Sequence, residues 1–279
     1  MIPFDFDYYR PDSIQEAVKI YEELDTQGKQ PLYYGGGTEI ITMARTHNIF
    51  TKALVDLKGI PECNVLEFRN DQLVIGSTVT LTQIFESRKF PLLGDIGSRI
   101  ADHTAQCQIT LGGNIAGTII YRETVLPLLL SSSQIVIANE SGQKQVSLHE
   151  VFNERLQLNP GEFIVQVITD KIYTTLPYVH VKKTKYEKID YPLMTVVAVK
   201  KDEKIRIAFS GLCSFPFRSM KMENALNENS QLDVRINNAL SHLPTSILND
   251  ISGSDKYREF VLRDTLINTL KTLEGVGLC

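Results

Sequence analysis

The stretch Tyr33-Tyr34-Gly35-Gly36-Gly37-Thr38-Glu39-Ile40 decides how this chain folds and what it can hold. It continues a short strand-like run at 31–34 and leads into a helical pattern at 39–47. Three glycines at a strand-to-helix turn leave the backbone without Cβ cover. Their N–H groups can converge on an anion, and a helix N-terminus adds partial positive charge. Thr38 stands where it can donate its hydroxyl to a phosphate or cap the helix. The same residues also read as a plain tight turn. The segment is neither a GxGxxG fingerprint nor a phosphate loop with GK[ST], so those two nucleotide folds lose support.

A second glycine turn follows in Thr110-Leu111-Gly112-Gly113-Asn114. Asn114 can hydrogen-bond a phosphate or ribose, or brace its own turn. Two such turns bracketing an α/β region suit a long ligand such as a dinucleotide, which needs anion sites from more than one loop.

Working outward, residues 12–27 read as an amphipathic helix capped by Ser13 or Asp12, with Ile14, Ala17, Val18, Ile20, Tyr21 and Leu24 as its stripe. Residues 54–57 read as a strand, and 65–69 with 71–76 as a hairpin turning at Asn70-Asp71. Helices are expected at 82–86 and 93–105, then an apolar helix ending at Leu130, then strands at 134–138 and 162–168. Composition shifts near residue 170. Beyond it lie three antiparallel strands, 178–184, 194–199 and 205–211, with Asp202-Glu203 at a hairpin tip, and helices at 221–226, 234–243 and 254–273. The chain therefore divides at about 172. Residues 1–172 form one domain with subdomains of about 1–56 and 57–172, and 173–279 form a C-terminal α+β domain.

Of the 279 residues, 43% are hydrophobic and 22% charged, which is ordinary for a folded globular chain. The net charge of −4 offers no strong basic face for nucleic acid or an acidic membrane surface. Cys63, Cys107, Cys213 and Cys279 stand far apart with no CxxC pair. That argues against a zinc site, a ligated iron–sulfur cluster and a disulfide framework. His47, His103, His149, His180 and His242 form no HxxxH or HxH pair, so no metal is expected. His103, four residues before Cys107, reads as packing or capping, or as the partner of a reactive thiol. No apolar run is long enough to span a membrane, and residues 1–9 lack the cationic start of a secretory signal, so a cytoplasmic location is expected.

Taken together, these residues resemble the FAD-binding (medium) subunits of the molybdenum hydroxylase family, of the xanthine dehydrogenase and carbon monoxide dehydrogenase medium-chain type. The resemblance begins at Phe6-Asp7-Tyr8-Tyr9-Arg10-Pro11-Asp12-Ser13-Ile14-Gln15-Glu16-Ala17. It continues through the first glycine loop, Leu54-Val55-Asp56-Leu57 and Ile75-Gly76-Ser77-Thr78 to the second loop, its most specific piece. It implies an α+β architecture: the two-subdomain FAD-binding fold of the para-cresol methylhydroxylase type, followed by a C-terminal domain with a three-stranded antiparallel sheet and helices.

The resemblance also implies a site. Tyr33, Tyr34, Gly35, Gly36, Gly37, Thr38, Glu39 and Ile40 would form the first loop around the FAD pyrophosphate, and Thr110, Leu111, Gly112, Gly113 and Asn114 the second. Glu123, nine positions after Asn114, would contact the adenosine part, or stand as a solvated carboxylate at a helix start. Ile100 and Ile164 would pack on the cofactor or serve as plain core. Lys182, eight residues before Asp190, would lie near the isoalloxazine, where a cation stabilises the anionic reduced flavin, or be a solvated strand lysine. Asp190 also reads as structural, closing the turn before Tyr191-Pro192. No side chain is expected to act as a catalytic acid or base.

The sequence departs from the family's pattern in four places. Ile119-Ile120-Tyr121-Arg122 replaces a Ser-Pro segment, and one extra residue precedes Pro127. Gln106 and Tyr186 stand where arginines are usual. Tyr121 could stack on adenine and Arg122 could fork to phosphate in compensation.

The function implied is that of a flavin-dependent oxidoreductase subunit. It would pass electrons from an iron–sulfur subunit through FAD to NAD or another acceptor, in a complex with a large molybdopterin-binding subunit. Two other readings stand beside it: a self-contained FAD oxidase or reductase of the same fold, and a non-catalytic assembly subunit that has lost FAD.

Overall fold

Ser13 starts the first helix, α1 (Ile14–Thr26), by accepting a hydrogen bond from the Glu16 N–H at 3.2 Å. The stripe Ile14, Ala17, Val18 and Leu24 is buried. It packs with a three-stranded parallel sheet of β1 (Asp7–Tyr9), β2 (Leu32–Tyr34) and β3 (Ala53–Asp56). The central β3 is buried at every position, as a parallel strand covered on both faces must be. Helix α2 (Thr38–Arg45) makes the crossover from β2 to β3. The computed structural model that shows this describes residues 2–185 and 190–275. Tyr186 and Cys279 lie outside the described residues.

The second sheet is antiparallel throughout, in the order β4-β5-β10-β6-β7. Its strands are β4 (Leu66–Arg69), β5 (Gln72–Gly76), β6 (Gln134–Asn139), β7 (Gly142–Ser147) and, after a small hairpin of β8 (Phe152–Asn153) and β9 (Arg155–Leu156), β10 (Phe163–Asp170). The expected hairpin at Asn70-Asp71 joins β4 to β5. Period-two alternation, shifted on β10 by an irregularity between Ile164 and Gln166, sorts the side chains. Phe163, Val165 and Ala138 face the core under α1, while Ile164, Val167, Ile135 and Ile137 face a larger core on the other side.

That larger core is built by helices α3 (Leu81–Ser87), α4 (Pro91–Gly97), α5 (His103–Gln106), α6 (Leu111–Ala116), α7 (Val125–Leu130) and α8 (Leu148–Val151), with α4, α6 and α7 supplying much of it. Its other wall is the C-terminal sheet, β11 (Tyr178–Thr184), β12 (Pro192–Lys201), β13 (Lys204–Ser210) and β14 (Phe217–Arg218), in that order. On β12, Val197 and Val199 face the helices of the larger core. Met194, Val196 and Ala198 face a third core under α9 (Met220–Leu226), α10 (Leu232–Leu240) and α11 (Asp255–Glu274). Among the described residues no helix is long and apolar enough to cross a membrane.

Several expectations are corrected. The C-terminal sheet has a fourth strand, because Phe217 and Arg218 pair with Phe209 and Ala208; a two-residue strand shows no alternation to read. The helix expected at 93–105 is two helices. Ala101 has φ of 54°, and Asp102 restarts the helix by accepting from the Ala105 N–H at 2.8 Å. The turn expected at Thr110–Asn114 is the first turn of α6, with Thr110 as its cap. Strand β7 had no signal because it is polar and mostly exposed. Asp202 and Glu203 do take positive φ at their hairpin tip, as a two-residue turn requires.

Glu162, just before β10, accepts from Lys144 Nζ at 2.6 Å, the Asn159 N–H at 2.9 Å and Asn139 Nδ2 at 3.1 Å. Burial alone would raise its pKa, but these donors outweigh burial and hold it at about 2, below the ordinary 4.5. A depressed carboxylate pKa contributes stability that is present above pH 4.5 and is lost as pH falls toward 2. Urea unfolding of Glu162→Gln against the parent, in steps from pH 6 to pH 3, should therefore show a stability gap that is widest near neutrality and narrows in acid.

Candidate functional site

The two glycine loops touch. A Cβ on Gly36 would stand inside the carbonyl oxygen of Gln108, and one on Gly35 would lie 2.7 Å from Thr110 Oγ1. A Cβ on Gly112 would lie 2.6 Å from the Ser77 Cβ. The glycines therefore let one backbone lie directly against another. Gly37, at φ of 72°, turns the chain into α2, so Thr38 is the first helical residue rather than the cap. The backbone N–H groups of Gly36, Gly37, Thr38 and Glu39 have no acceptor among the described residues. They form an open row of donors at the start of an eight-residue helix.

Side chains hold the loops in place. Lys58 Nζ donates to the Gly35 carbonyl at 2.7 Å and lies 2.9 Å from Asp56 Oδ1, with its ammonium 4.3 Å from the centre of the Tyr34 ring. Asp56 is buried and also accepts from the Tyr8 hydroxyl and the Lys58 N–H. Burial and then the Asp56 hydrogen bond push the Tyr8 phenol up to about 12. Glu39 accepts from the Thr118 N–H at 2.8 Å and its hydroxyl at 2.6 Å, tying α2 to the end of α6. Thr110 caps α6 by accepting from the Gly113 N–H at 3.2 Å. Asn114 Oδ1 accepts from the Thr124 hydroxyl at 2.6 Å. Asn114 thus braces its own segment, and its amide nitrogen makes no bond within the described residues.

Not every residue named from sequence faces this junction. Tyr33 points the other way. It stacks between Tyr21 and Phe163, donates to the Gly161 carbonyl at 3.0 Å, and burial raises its pKa. Leu111 and Ile164 are buried in the larger core, and Ile100 packs against its edge. Ile40 lies half-buried on α2. Asp190 accepts from the Tyr191 N–H at 2.8 Å, a local turn contact. Tyr121 stacks on Tyr191 at 4.9 Å.

Glu123 and Lys182, far apart in sequence, meet. Glu123 Oε2 lies 3.2 Å from Lys182 Nζ, and Oε1 accepts from the Thr195 hydroxyl at 2.6 Å. Lys182 also donates to the Arg99 carbonyl at 2.7 Å. Both side chains are nearly sealed, at 4% and 3% exposure, so neither is the solvated residue that a plain reading of the sequence allowed. Burial raises the Glu123 pKa against the pull of Lys182 and Thr195. His180, two residues before Lys182 and so on the same face of β11, has a buried Nε2 without a partner among the described residues. Burial, then the Arg99 and Lys182 charges, lower its pKa to about 4, so it is neutral near pH 7.

Sequence reasoning missed Lys58, although it directly follows the Leu54–Leu57 run and the charge of Asp56 was in view. His103 and Cys107 do approach, with Nε2 to Sγ at 3.8 Å and the Thr82 hydroxyl 3.4 Å from the exposed thiol. No cluster of three or more metal-ligating side chains exists among the described residues.

Comparison with known proteins bears on this geometry. Residues 4–169 match the family model described as the FAD binding domain in molybdopterin dehydrogenase. The glyceraldehyde dehydrogenase medium chain of Sulfolobus acidocaldarius is 25% identical over 99% of this chain and 100% of its own length. The carbon monoxide dehydrogenase medium chain of Afipia carboxidovorans is 32% identical over 42% of this chain and 41% of its own. A solved Cu,Mo-CO dehydrogenase, in its cyanide-inactivated form, contains a chain that superposes with a TM-score of 0.85 at 20% identity, covering 99% of this chain and 100% of that one. At that identity the likeness shows the shared fold.

These contacts set the expected outcome of three variants. Gly36→Ala should lose about 1–3 kcal/mol of stability in chemical denaturation, because backbone rather than a flexible side chain must move. Lys182→Met should cost ~3–5 kcal/mol, since it strands a buried carboxylate. That loss should grow as pH rises above the ordinary glutamate range, because a raised acid pKa favours the folded state only while the proton is held. The double variant Glu123→Gln/Lys182→Met should recover much of it.

Proposed function

The chain belongs to the family of FAD-binding domains of molybdopterin dehydrogenases, and from that we propose that it is the subunit which takes electrons from an iron–sulfur subunit of a molybdenum hydroxylase complex and delivers them to NAD or another acceptor. FAD is its cofactor, and the chain is a flavin-dependent oxidoreductase subunit. The residues present fit that group. The open N–H row of Gly36–Glu39 lies against the second loop where no Cβ intrudes, and suits a pyrophosphate. This is the observation that carries the reading.

In this reading 1–172 form the FAD domain and 173–279 the second domain. Gly35–Glu39 and Thr110–Asn114 hold the pyrophosphate. Lys58 keeps the first loop against Asp56, and Glu39 fixes its distance from the 117–122 segment. Tyr33, Leu111 and Ile164 support the site from the cores behind it. Lys182 stands at the flavin end, and Glu123, in contact with it, balances its charge there instead of reaching the adenosine part that the resemblance implied; Ile100 packs beside them. FAD supplies chemistry that bridges single-electron and two-electron partners. This chain's residues bind, orient and exclude water; none is required as an acid or base.

The partners proposed are a small iron–sulfur subunit and a large molybdopterin-binding subunit, in the cytoplasm. The names of the similar proteins support this: two are medium chains, and one from Eubacterium barkeri is the FAD-subunit of a nicotinate dehydrogenase.

The test is the visible spectrum of the purified chain with its acid-released cofactor identified. Flavin bands, released FAD and bleaching by NADH are expected. Lys58→Met should weaken FAD retention about tenfold, the loss of a charge-assisted bond to the loop. Bleaching by a small substrate with no partner present would favour the self-contained oxidase. A colourless chain that takes up no added FAD would favour the assembly subunit.

A further inference from the structure

Among the described residues Arg122, Arg235 and Arg258 are buried and the Arg218 side chain is nearly so; all but Arg122 pair with a carboxylate. Arg218 lies 2.7 Å from Glu223, Arg258 lies 2.7 Å from Asp250, and Arg235 pairs with Glu274. Arg122 does not. It is 3% exposed and makes one hydrogen bond, from Nη2 to the Glu154 carbonyl at 2.7 Å. Its Nε and Nη1 have no acceptor among the described residues. The Phe152 ring lies 5.3 Å beneath the guanidinium. Two charges act on it, Arg155, of its own sign, and Glu39, of the opposite sign. Glu39 is already held by Thr118, and Arg155 sits on the small hairpin that packs on α6.

A sealed cation with open donors, under the repulsion of a second cation, is unfavourable until an anion arrives. The place is specific. The 117–122 segment joins the end of α6 to the start of α7, and Glu39 ties it to the first turn of α2, where the open backbone donors lie. We infer that the Arg122 guanidinium, with Arg155 beside it, is a seat for a phosphate oxyanion, adding a side-chain anchor to the backbone donors of the glycine loops. This rests on the FAD reading for the identity of the phosphate, and the cofactor's pyrophosphate is the source the location favours. Guanidinium suits the task because it offers several fixed donors to one oxyanion.

The experiment uses the full chain and its Arg122→Met and Arg122→Lys variants. FAD is titrated by fluorescence quenching at several ionic strengths, and melting is followed without cofactor. Arg122→Met should lower FAD affinity about 10- to 100-fold and flatten its salt dependence. It should leave the melting temperature of the cofactor-free chain unchanged or raised, because an apolar group of similar size replaces an uncompensated charge. Arg122→Lys should restore only part of the affinity.

Unchanged FAD affinity, or a cofactor-free chain destabilised as much as the loaded one, would overturn the assignment and leave Arg122 a structural residue. Inorganic pyrophosphate separates the sources. Arg122-dependent protection by pyrophosphate that vanishes once FAD is bound assigns the seat to FAD, and protection that persists assigns it to a second phosphate ligand. If the parent chain binds no FAD yet pyrophosphate still protects it through Arg122, the FAD reading fails and the seat stands.

Discussion

Helix α7, Val-Leu-Pro-Leu-Leu-Leu, has no polar face, and every one of its residues is buried. Such a helix must be covered on all sides. Here α4 and α8 pack beside it and the C-terminal sheet covers it, and one core takes in Leu73 and Ile75 together with Val197, Val199 and Ala208. This constraint joins the early and late parts of the chain through apolar area. It also drags the three residues before the helix, Arg122, Glu123 and Thr124, out of water with it. The chemistry at that corner follows from the burial.

Each of those three polar groups meets the cost of burial differently. Thr124 donates to Asn114 and so locks the second glycine segment to the start of α7. Glu123 finds Lys182 and Thr195 across the boundary with the C-terminal sheet. That contact adds geometric definition more than net stability, because desolvating two charges offsets much of their attraction. Arg122 finds only a carbonyl and an aromatic face. The same corner thus holds one satisfied charge pair and one charge still open to a ligand.

The loop junction follows the same logic with backbone groups. Gly36 lies on Gln108, and the N–H groups from Gly36 to Glu39 have no acceptor among the described residues. Lys58 and Glu39 then fix the loop from two sides, one through the Gly35 carbonyl and one through Thr118. Rigid placement of donors before the ligand arrives lowers the ordering cost of binding.

Local signals were legible where a residue's role depends on its near neighbours. The α1 stripe, the hairpin at Asn70-Asp71, the three long C-terminal strands and both glycine segments could be read because periodicity and turn chemistry are short-range. The break at Ala101 could not, since nothing local marks an alanine for a positive φ, nor could the two-residue strand at Phe217, which exists only through its pairing with β13. The site divided the same way. Sequence alone determined that two glycine loops exist, and its resemblance to the family singled out Asn114, Glu123 and Lys182 and made FAD the cofactor to expect. Tertiary structure alone decided that Tyr33 faces the core, that Glu123 and Lys182 neutralise each other, and that Arg122 is left without a counter-charge. Contacts between residues 59 positions apart, as in the Lys182–Glu123 pair, depend on how sheets and helices stack, and no local pattern encodes them.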